Sequence, residues 1–122
     1  MENILEITLP IHTVSEANIS EHWTKKKKRH DIQKKAIWIY FKKEKPEISL
    51  PCRIKLTRIG KRKLDDDNLP VSMKWIRDEI SSCLIPGKLP GRADDDKRIS
   101  FCYDQKIGKE YGINIIFYCA LQ

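Results

Sequence analysis

Two runs of three aspartates, Asp65–Asp67 followed by Asn68 and Asp94–Asp96, are the residues of this chain best suited to chemistry. If the first run is extended, the side chains of Asp65 and Asp67 point the same way. Two carboxylates on one side suit Mg²⁺, which binds one or two carboxylates together with water and substrate phosphate oxygens. The second run precedes a predicted strand and is expected to bring a further carboxylate to the same site. The alternative is that one run caps a helix and the other marks a turn.

Positive charge is concentrated in the first half of the chain. The formal net charge is +7; residues 1–61 carry 14 Lys and Arg against 7 Asp and Glu, whereas residues 62–122 carry 10 of each. Five consecutive cations, Lys25–Arg29, would open a helix, where the helix dipole favours anions instead. A bound phosphate backbone would relieve both this cost and the mutual repulsion, although a solvated face is the alternative. The residues of this run that are predicted to contact phosphate are Lys25, Lys26, Lys27, Lys28 and Arg29.

The composition excludes several classes of protein. With 40% hydrophobic and 34% charged residues in 122 residues, the chain fits one folded domain rather than a disordered or membrane protein. No apolar run approaches the ~20 residues of a membrane span, and no basic segment opens a signal peptide. The four cysteines lie far apart, which argues against zinc and for reduced core residues. We expect a cytoplasmic protein.

Apolar periodicity predicts the elements that position these residues. Alternation indicates strands over residues 4–11, 52–59, 99–105 and 111–120, and in the second of these it places Cys52, Ile54, Leu56 and Arg58 on one face. Spacings of three and four indicate helices over residues 24–44 and from 68 or 70 to 84. The buried face of the first helix is predicted to contain Ile32, Ala36 and Ile39. The last two strands are expected to form a hairpin, which gives a single α+β domain over residues 1–122 with the order β-α-β-α-β-β.

These motifs together resemble the RusA family of Holliday junction resolvases, which are metal-dependent endonucleases of bacteria and their phages. That family shows an Asp-x-Asp-Asn-Leu motif, a helical Lys with an Asp four residues later, and an Asp-Asp-x-(Gln/Arg)-(Ile/Val) motif. In this chain they read DDDNL at residues 65–69, Lys74 with Asp78, and DDKRI at residues 95–99. The resemblance extends over nearly the whole chain, since the order of elements also looks like the family fold.

The resemblance implies metal ligands at Asp65, Asp67 and Asp96, and a lysine required for activity at Lys74. It also implies a basic residue before the first aspartate; Leu64 stands there, and Arg62 and Lys63 just upstream are expected to supply that charge to the DNA. Three more residues separate Asn68 from Lys74 than in the best-known family pattern. The implied cofactor is Mg²⁺, which Mn²⁺ can replace. The implied substrate is four-way or branched DNA, cut in recombination and repair. Paired symmetric cleavage requires two active sites, which implies a homodimer. A non-catalytic branched-DNA-binding protein and a nuclease without junction preference are the alternatives.

Overall fold

The elements of the chain follow the predicted order, with one added break. The computed structural model describes residues 2–16, 20–87 and 96–120. The elements are β1 (Glu2–Leu9), α1 (Trp23–Glu44), β2 (Cys52–Gly60), α2 (Asn68–Ser72), α3 (Lys74–Leu84), β3 (Ile99–Ile107) and β4 (Gly112–Ala120). The predicted α+β class is confirmed. None of the helices in these ranges has the length and apolarity needed to cross a bilayer.

The four strands form one mixed sheet in the order β1-β4-β2-β3. β4 is antiparallel to both β1 and β2, whereas β2 and β3 are parallel, with Cys52 opposite Ile99 and Gly60 opposite Ile107. β3 and β4 are consecutive and run in opposite directions, as predicted. They do not pair with each other, however, because β2 lies between them. The central positions go to β2 and β4, the strands with the most fully buried inner faces.

One face of the sheet carries the core. Cys52, Ile54 and Leu56 of β2 are buried at alternate positions, as predicted. Ile37 of α1 and Ile76 of α3 belong to the same cluster and are completely buried. The helices therefore cover a single face. The four cysteines, all within the described residues, form no disulfide, and Cys52 and Cys119 are buried with their sulfur atoms 3.2 Å apart.

The buried face of α1 differs from the predicted one by a rotation of one residue. Gln33, Ile37 and Tyr40 are buried, whereas Ile32 is 60% exposed. The side-chain amide of Gln33 donates to the carbonyl oxygen of His12 at 3.0 Å, and this bond turns position 33 inward. A shift of one residue rotates a helix by about 100°, so the predicted face was wrong.

The second helix is interrupted at Met73. The hydroxyl of Ser72 donates to the carbonyl oxygen of Leu69 at 2.7 Å, which is the acceptor that an uninterrupted helix offers to the N–H of Met73. That N–H bonds instead to the carbonyl oxygen of Pro70 at 3.1 Å. A continuous helix was predicted because a side-chain bond of this kind leaves no trace in apolar periodicity. The break makes Lys74 the first residue of α3.

Candidate nucleic-acid and metal-binding site

The carboxyl ends of β1, β2 and β3 lie at one edge of the sheet, because these three strands run in the same direction. We call the segments that follow them, residues 10–16, 61–67 and 108–111, the carboxyl end of the sheet. Its segments are tied together: the N–H of Gly108 donates to the carbonyl oxygen of Gly60 at 2.9 Å. The side chain of Gln105 donates to and accepts from the backbone of Leu64, both at 2.8 Å. In open α/β sheets, ligands bind outside this edge.

The first aspartate run lies at this edge with its carboxylates free. Asp65, Asp66 and Asp67 are exposed, and the last two lie in a turn rather than in extended chain. Asp67 occupies the N-cap position of α2 but makes no side-chain cap bond. The carbonyl oxygen of Asp65 accepts instead from the N–H groups of Asn68 and Leu69, at 2.9 and 3.1 Å. The backbone of Asp65, and not a carboxylate, therefore caps α2. Within the described ranges the three carboxylates also form no ion pair.

Asp96 lies at the opposite end of β3. Its carboxylate accepts from the backbone N–H of Arg98 at 2.9 Å and from the guanidinium at 3.0 and 2.9 Å. The N–H of Cys52, the first residue of β2, donates to the carbonyl oxygen of Arg98 at 2.8 Å. Because β2 and β3 are parallel, the start of β3 lies beside the start of β2.

The distance of Asp96 from Asp65 and Asp67 follows from this register. Gln105, which bonds to Leu64, lies six residues along β3 from Ile99, and six residues of strand span about 20 Å. A single chain therefore does not bring Asp96 to Asp65 and Asp67. Over residues 2–16, 20–87 and 96–120, no group of three or more His, Cys, Asp or Glu side chains is placed to hold a metal ion. Asp94 and Asp95 lie outside the described residues.

Arg29 is enclosed by carboxylates and is not available to DNA. Its guanidinium forms ion pairs with Glu16 at 2.7 Å and Glu21 at 2.6 Å, and all three side chains are at most 17% exposed. The hydrogen bond to Glu16 raises the pKa of Arg29 above its ordinary value. Arg29 was predicted to contact phosphate; the structure assigns its charge to fixing the segment before α1.

The other predicted basic residues remain at the surface. Lys27 pairs with Asp31 at 2.8 Å, both side chains being more than half exposed, and such a pair is easily exchanged for a phosphate. Lys25 and Lys28 are exposed, and Lys26 is partly buried. At the carboxyl end of the sheet, all three residues from 61 to 63 are exposed cations. These cations are accessible to a phosphate backbone, and their contact with phosphate stays a prediction.

Lys74 is exposed and is the first residue of α3, directly after the break at Met73. Its ammonium lies 4.8 Å from the ring centroid of Trp75 and forms no ion pair within the described residues. The alternative pairing of Lys74 with Asp78 is therefore not formed. Six residues, the five of α2 and Met73, separate Lys74 from Asp67, and seven helical steps rise by about 10 Å.

Arg58 is a site residue whose role the sequence did not reveal. It is 5% exposed. Its guanidinium donates to the hydroxyl of Thr13 at 3.0 Å, the carbonyl oxygen of Thr13 at 3.2 Å and the carbonyl oxygen of Arg62 at 2.8 Å. No carboxylate in the described ranges neutralises it, and burial lowers its pKa. Arg58 thus joins the segments that follow β1 and β2. One signal of this role is present in the sequence, which is that Arg58 occupies a position of β2 that the apolar alternation predicts to be buried.

We expect Thr13→Val to lower the free energy of unfolding by about 2 kcal/mol, because it leaves a buried charged N–H of Arg58 without its acceptor. Thr13 is 2% exposed, and valine has nearly the same shape. Urea denaturation measures the change. The control is Thr57→Val on the outer face of β2, where we expect a change within about 0.5 kcal/mol. Equal effects of the two substitutions would contradict the role of Thr13.

Comparison of the chain with protein-family models and with curated proteins finds no match. The fold and the site define a small α+β domain whose carboxyl end presents exposed carboxylates next to exposed cations. Such an arrangement can bind a divalent cation and a phosphate side by side.

Proposed function

We propose that this protein is a Mg²⁺-dependent endodeoxyribonuclease that resolves Holliday junctions by paired, symmetric phosphodiester cleavage. One observation carries the proposal: the carboxylates of Asp65 and Asp67 are exposed and unpaired within the described residues, and they directly follow the exposed cations at 61–63. Exposed carboxylates next to exposed cations fit a site that is completed by a metal ion and a phosphate. The metal ion neutralises the carboxylates, and the phosphate neutralises the cations.

Asp65 and Asp67 fit the requirements of Mg²⁺, because this ion needs only one or two protein carboxylates when substrate phosphate and water supply the remaining oxygens. Asp96 does not join them in one chain. When bound, Mg²⁺ or Mn²⁺ supplies a Lewis acid for the scissile phosphate and lowers the pKa of water.

The cations of the chain orient the DNA. Arg62 and Lys63 are placed to hold the phosphates that flank the bond to be cut, and Lys25 and Lys28 hold the backbone further along. Lys74 is proposed to donate to the phosphate oxygens as they gain charge. Arg58 keeps Arg62 at the edge through its bond to the Arg62 carbonyl oxygen. Two copies of the chain are proposed to act on one junction, since its two equivalent strands require two sites.

A cleavage assay tests this function. A labelled four-way junction and a linear duplex with the same arm sequences are incubated with the protein in Mg²⁺ or in EDTA. We expect paired nicks at symmetric positions of the junction, dependent on Mg²⁺, and little cleavage of the duplex. Equal cleavage of both substrates would replace the proposal with a nuclease that has no junction preference.

The second candidate is a non-catalytic protein that binds branched DNA with the same basic surface. It is favoured by the position of Asp96, which is bound to Arg98 at the far end of β3, since only two of the three expected carboxylates then share a site. Junction binding without nicking, in Mg²⁺ and in Mn²⁺, would establish this candidate and reject the nuclease.

The double variant Lys25→Gln/Lys28→Gln should weaken junction binding and its dependence on salt. Each lost phosphate contact lowers the slope of log K against log salt by about 0.9, so we expect a decrease of about 1.8. Fluorescence anisotropy at several salt concentrations measures it. The control, Lys42→Gln/Lys43→Gln, removes two lysines from the last turn of the same helix and should leave the slope unchanged. Equal slopes for wild type and the first variant would place DNA elsewhere.

A further inference from the structure

A groove runs between the N-terminal half of α1 and the segment after β1. Its helical side includes Lys25, Lys28 and Ile32, which are three and four residues apart and so share one helix face, together with the adjacent, buried Gln33. Its other side includes residues 10–12, and its volume is about 390 Å³. We call it the α1 groove. Its size is within the range of ligand pockets.

The walls of the α1 groove are apolar and open to solvent. Ile32 lines it and is 60% exposed, although an isoleucine of a two-layer domain is usually covered. Pro10 faces it from the other side and is also exposed. A flat apolar group inserted between these two side chains would remove both from water.

The mouth of the α1 groove is cationic. Lys25 and Lys28 are exposed and form no ion pair within the described residues, and no acidic side chain among those residues lines the groove. The charge of Arg29 is already balanced by its glutamates. The pKa of His12 is lowered by partial burial and by the positive charge of Arg58, which favours the neutral form of its ring. The groove therefore favours an anion at its mouth and an uncharged group inside.

The floor of the α1 groove contains an unused acceptor. Gln33 is 1% exposed, and its N–H donates to the carbonyl oxygen of His12 at 3.0 Å. Its side-chain oxygen has no hydrogen-bond partner among the described residues. A buried acceptor without a donor is costly, and a ligand that carries an N–H group offers such a donor.

We propose that the α1 groove binds one unpaired nucleotide of a DNA strand, with the base between Ile32 and Pro10 and the phosphate between Lys25 and Lys28. A nucleobase combines a flat apolar face with N–H groups on its edge, and its backbone supplies the anion, so each feature of the groove has a counterpart. The inference rests on the proposed DNA-binding function. It deepens that function, because a branch point offers nucleotides that are easily unstacked from their neighbours.

The test separates the base from the backbone. A short single-stranded oligonucleotide is compared with an abasic strand of the same length, by anisotropy in EDTA. Removing about 40 Å² of apolar surface from water contributes roughly 1 kcal/mol, so we expect wild type to bind the base-bearing strand about fivefold more tightly. Ile32→Gln should remove most of this preference and leave the affinity for the abasic strand unchanged.

Ile4→Gln is the matched control, because Ile4 has the same 60% exposure but lies on β1, away from the groove. It should keep the full preference for bases. Equal binding of the two strands by wild type, no binding of either strand, or equal effects of Ile32→Gln and Ile4→Gln would overturn the inference. The assay contains neither Mg²⁺ nor a junction. The binding assay therefore tests the groove even if the protein does not cleave DNA. Junction cleavage by a protein without base preference would reject nucleotide binding in the α1 groove and leave the proposed nuclease function standing.

Discussion

Asp67→Asn should abolish Mg²⁺-dependent junction cleavage while junction binding is retained or becomes tighter. The substitution removes a proposed metal ligand, and it also removes a negative charge close to the DNA phosphates. Because Asp67 is exposed and makes no cap bond, the fold should be unaffected. Gel analysis of nicked strands measures cleavage, and anisotropy in Ca²⁺ or EDTA measures binding. A variant that cuts at nearly the wild-type rate would refute the metal assignment.

Companion variants define the site. Asp65→Asn should behave like Asp67→Asn, whereas Asp66→Asn, at the variable position of the motif, should be mild. Asp31→Asn removes an exposed carboxylate of the Lys27 pair on α1 and controls for the change in charge. Equal damage by all of these substitutions would mean that charge, and not metal binding, decides the rate.

Asp96→Asn distinguishes two expectations for cleavage, one from the family resemblance and one from the position of Asp96 in a single chain. The resemblance implies loss of cleavage, whereas the position of Asp96 beside Arg98 implies that cleavage is retained. Loss of cleavage with an intact fold would show that the active assembly brings Asp96 to the site from another copy of the chain. The circular dichroism spectrum and the urea midpoint of the variant check the fold.

The sequence predicted elements well where one face of an element is fully buried. The alternation in β2 identified the inward positions correctly, including the unusual Arg58, since period two has only two possible registers. It did not predict the partners of a strand. Pairing of β2 with both β3 and β4 is a non-local choice that depends on which strands have most to bury, and local pattern does not contain this information.

The errors at the candidate site have the same origin. Asp96 was expected beside Asp65 because both runs lie at strand boundaries, but parallel pairing of β2 and β3 places those boundaries at opposite ends. Arg29 was expected at the DNA because it belongs to a basic run. Its partner Glu16 is 13 residues away, and a run of like charges does not reveal a distant carboxylate. Local motifs identified residue types, whereas tertiary contacts decided their availability.

Lys74→Ala should lower the cleavage rate by about 100- to 1000-fold and change junction affinity by less than about threefold. An ammonium directed at a phosphate gains attraction as the transition state accumulates charge, and removing such a donor has an effect of this size on the rate. Only α2 and Met73 separate Lys74 from Asp67, and this short stretch of helix rises by about 10 Å. Single-turnover rates and equilibrium binding, measured on the same junction, separate the two quantities.

Lys42→Ala is a closely matched control for Lys74→Ala. Its ammonium lies 4.9 Å from the ring centroid of Trp38, as that of Lys74 lies 4.8 Å from the ring of Trp75, and both lysines are exposed on helices. The two substitutions therefore remove the same local contact. Lys74 follows the aspartate run by a short stretch of chain, whereas Lys42 lies in the last turn of α1. If both variants cut at the wild-type rate, the contact with Trp75 is the whole role of Lys74. Lys63 is then the cation to test, because Arg77 donates to the Tyr103 hydroxyl at 2.8 Å and is held against β3.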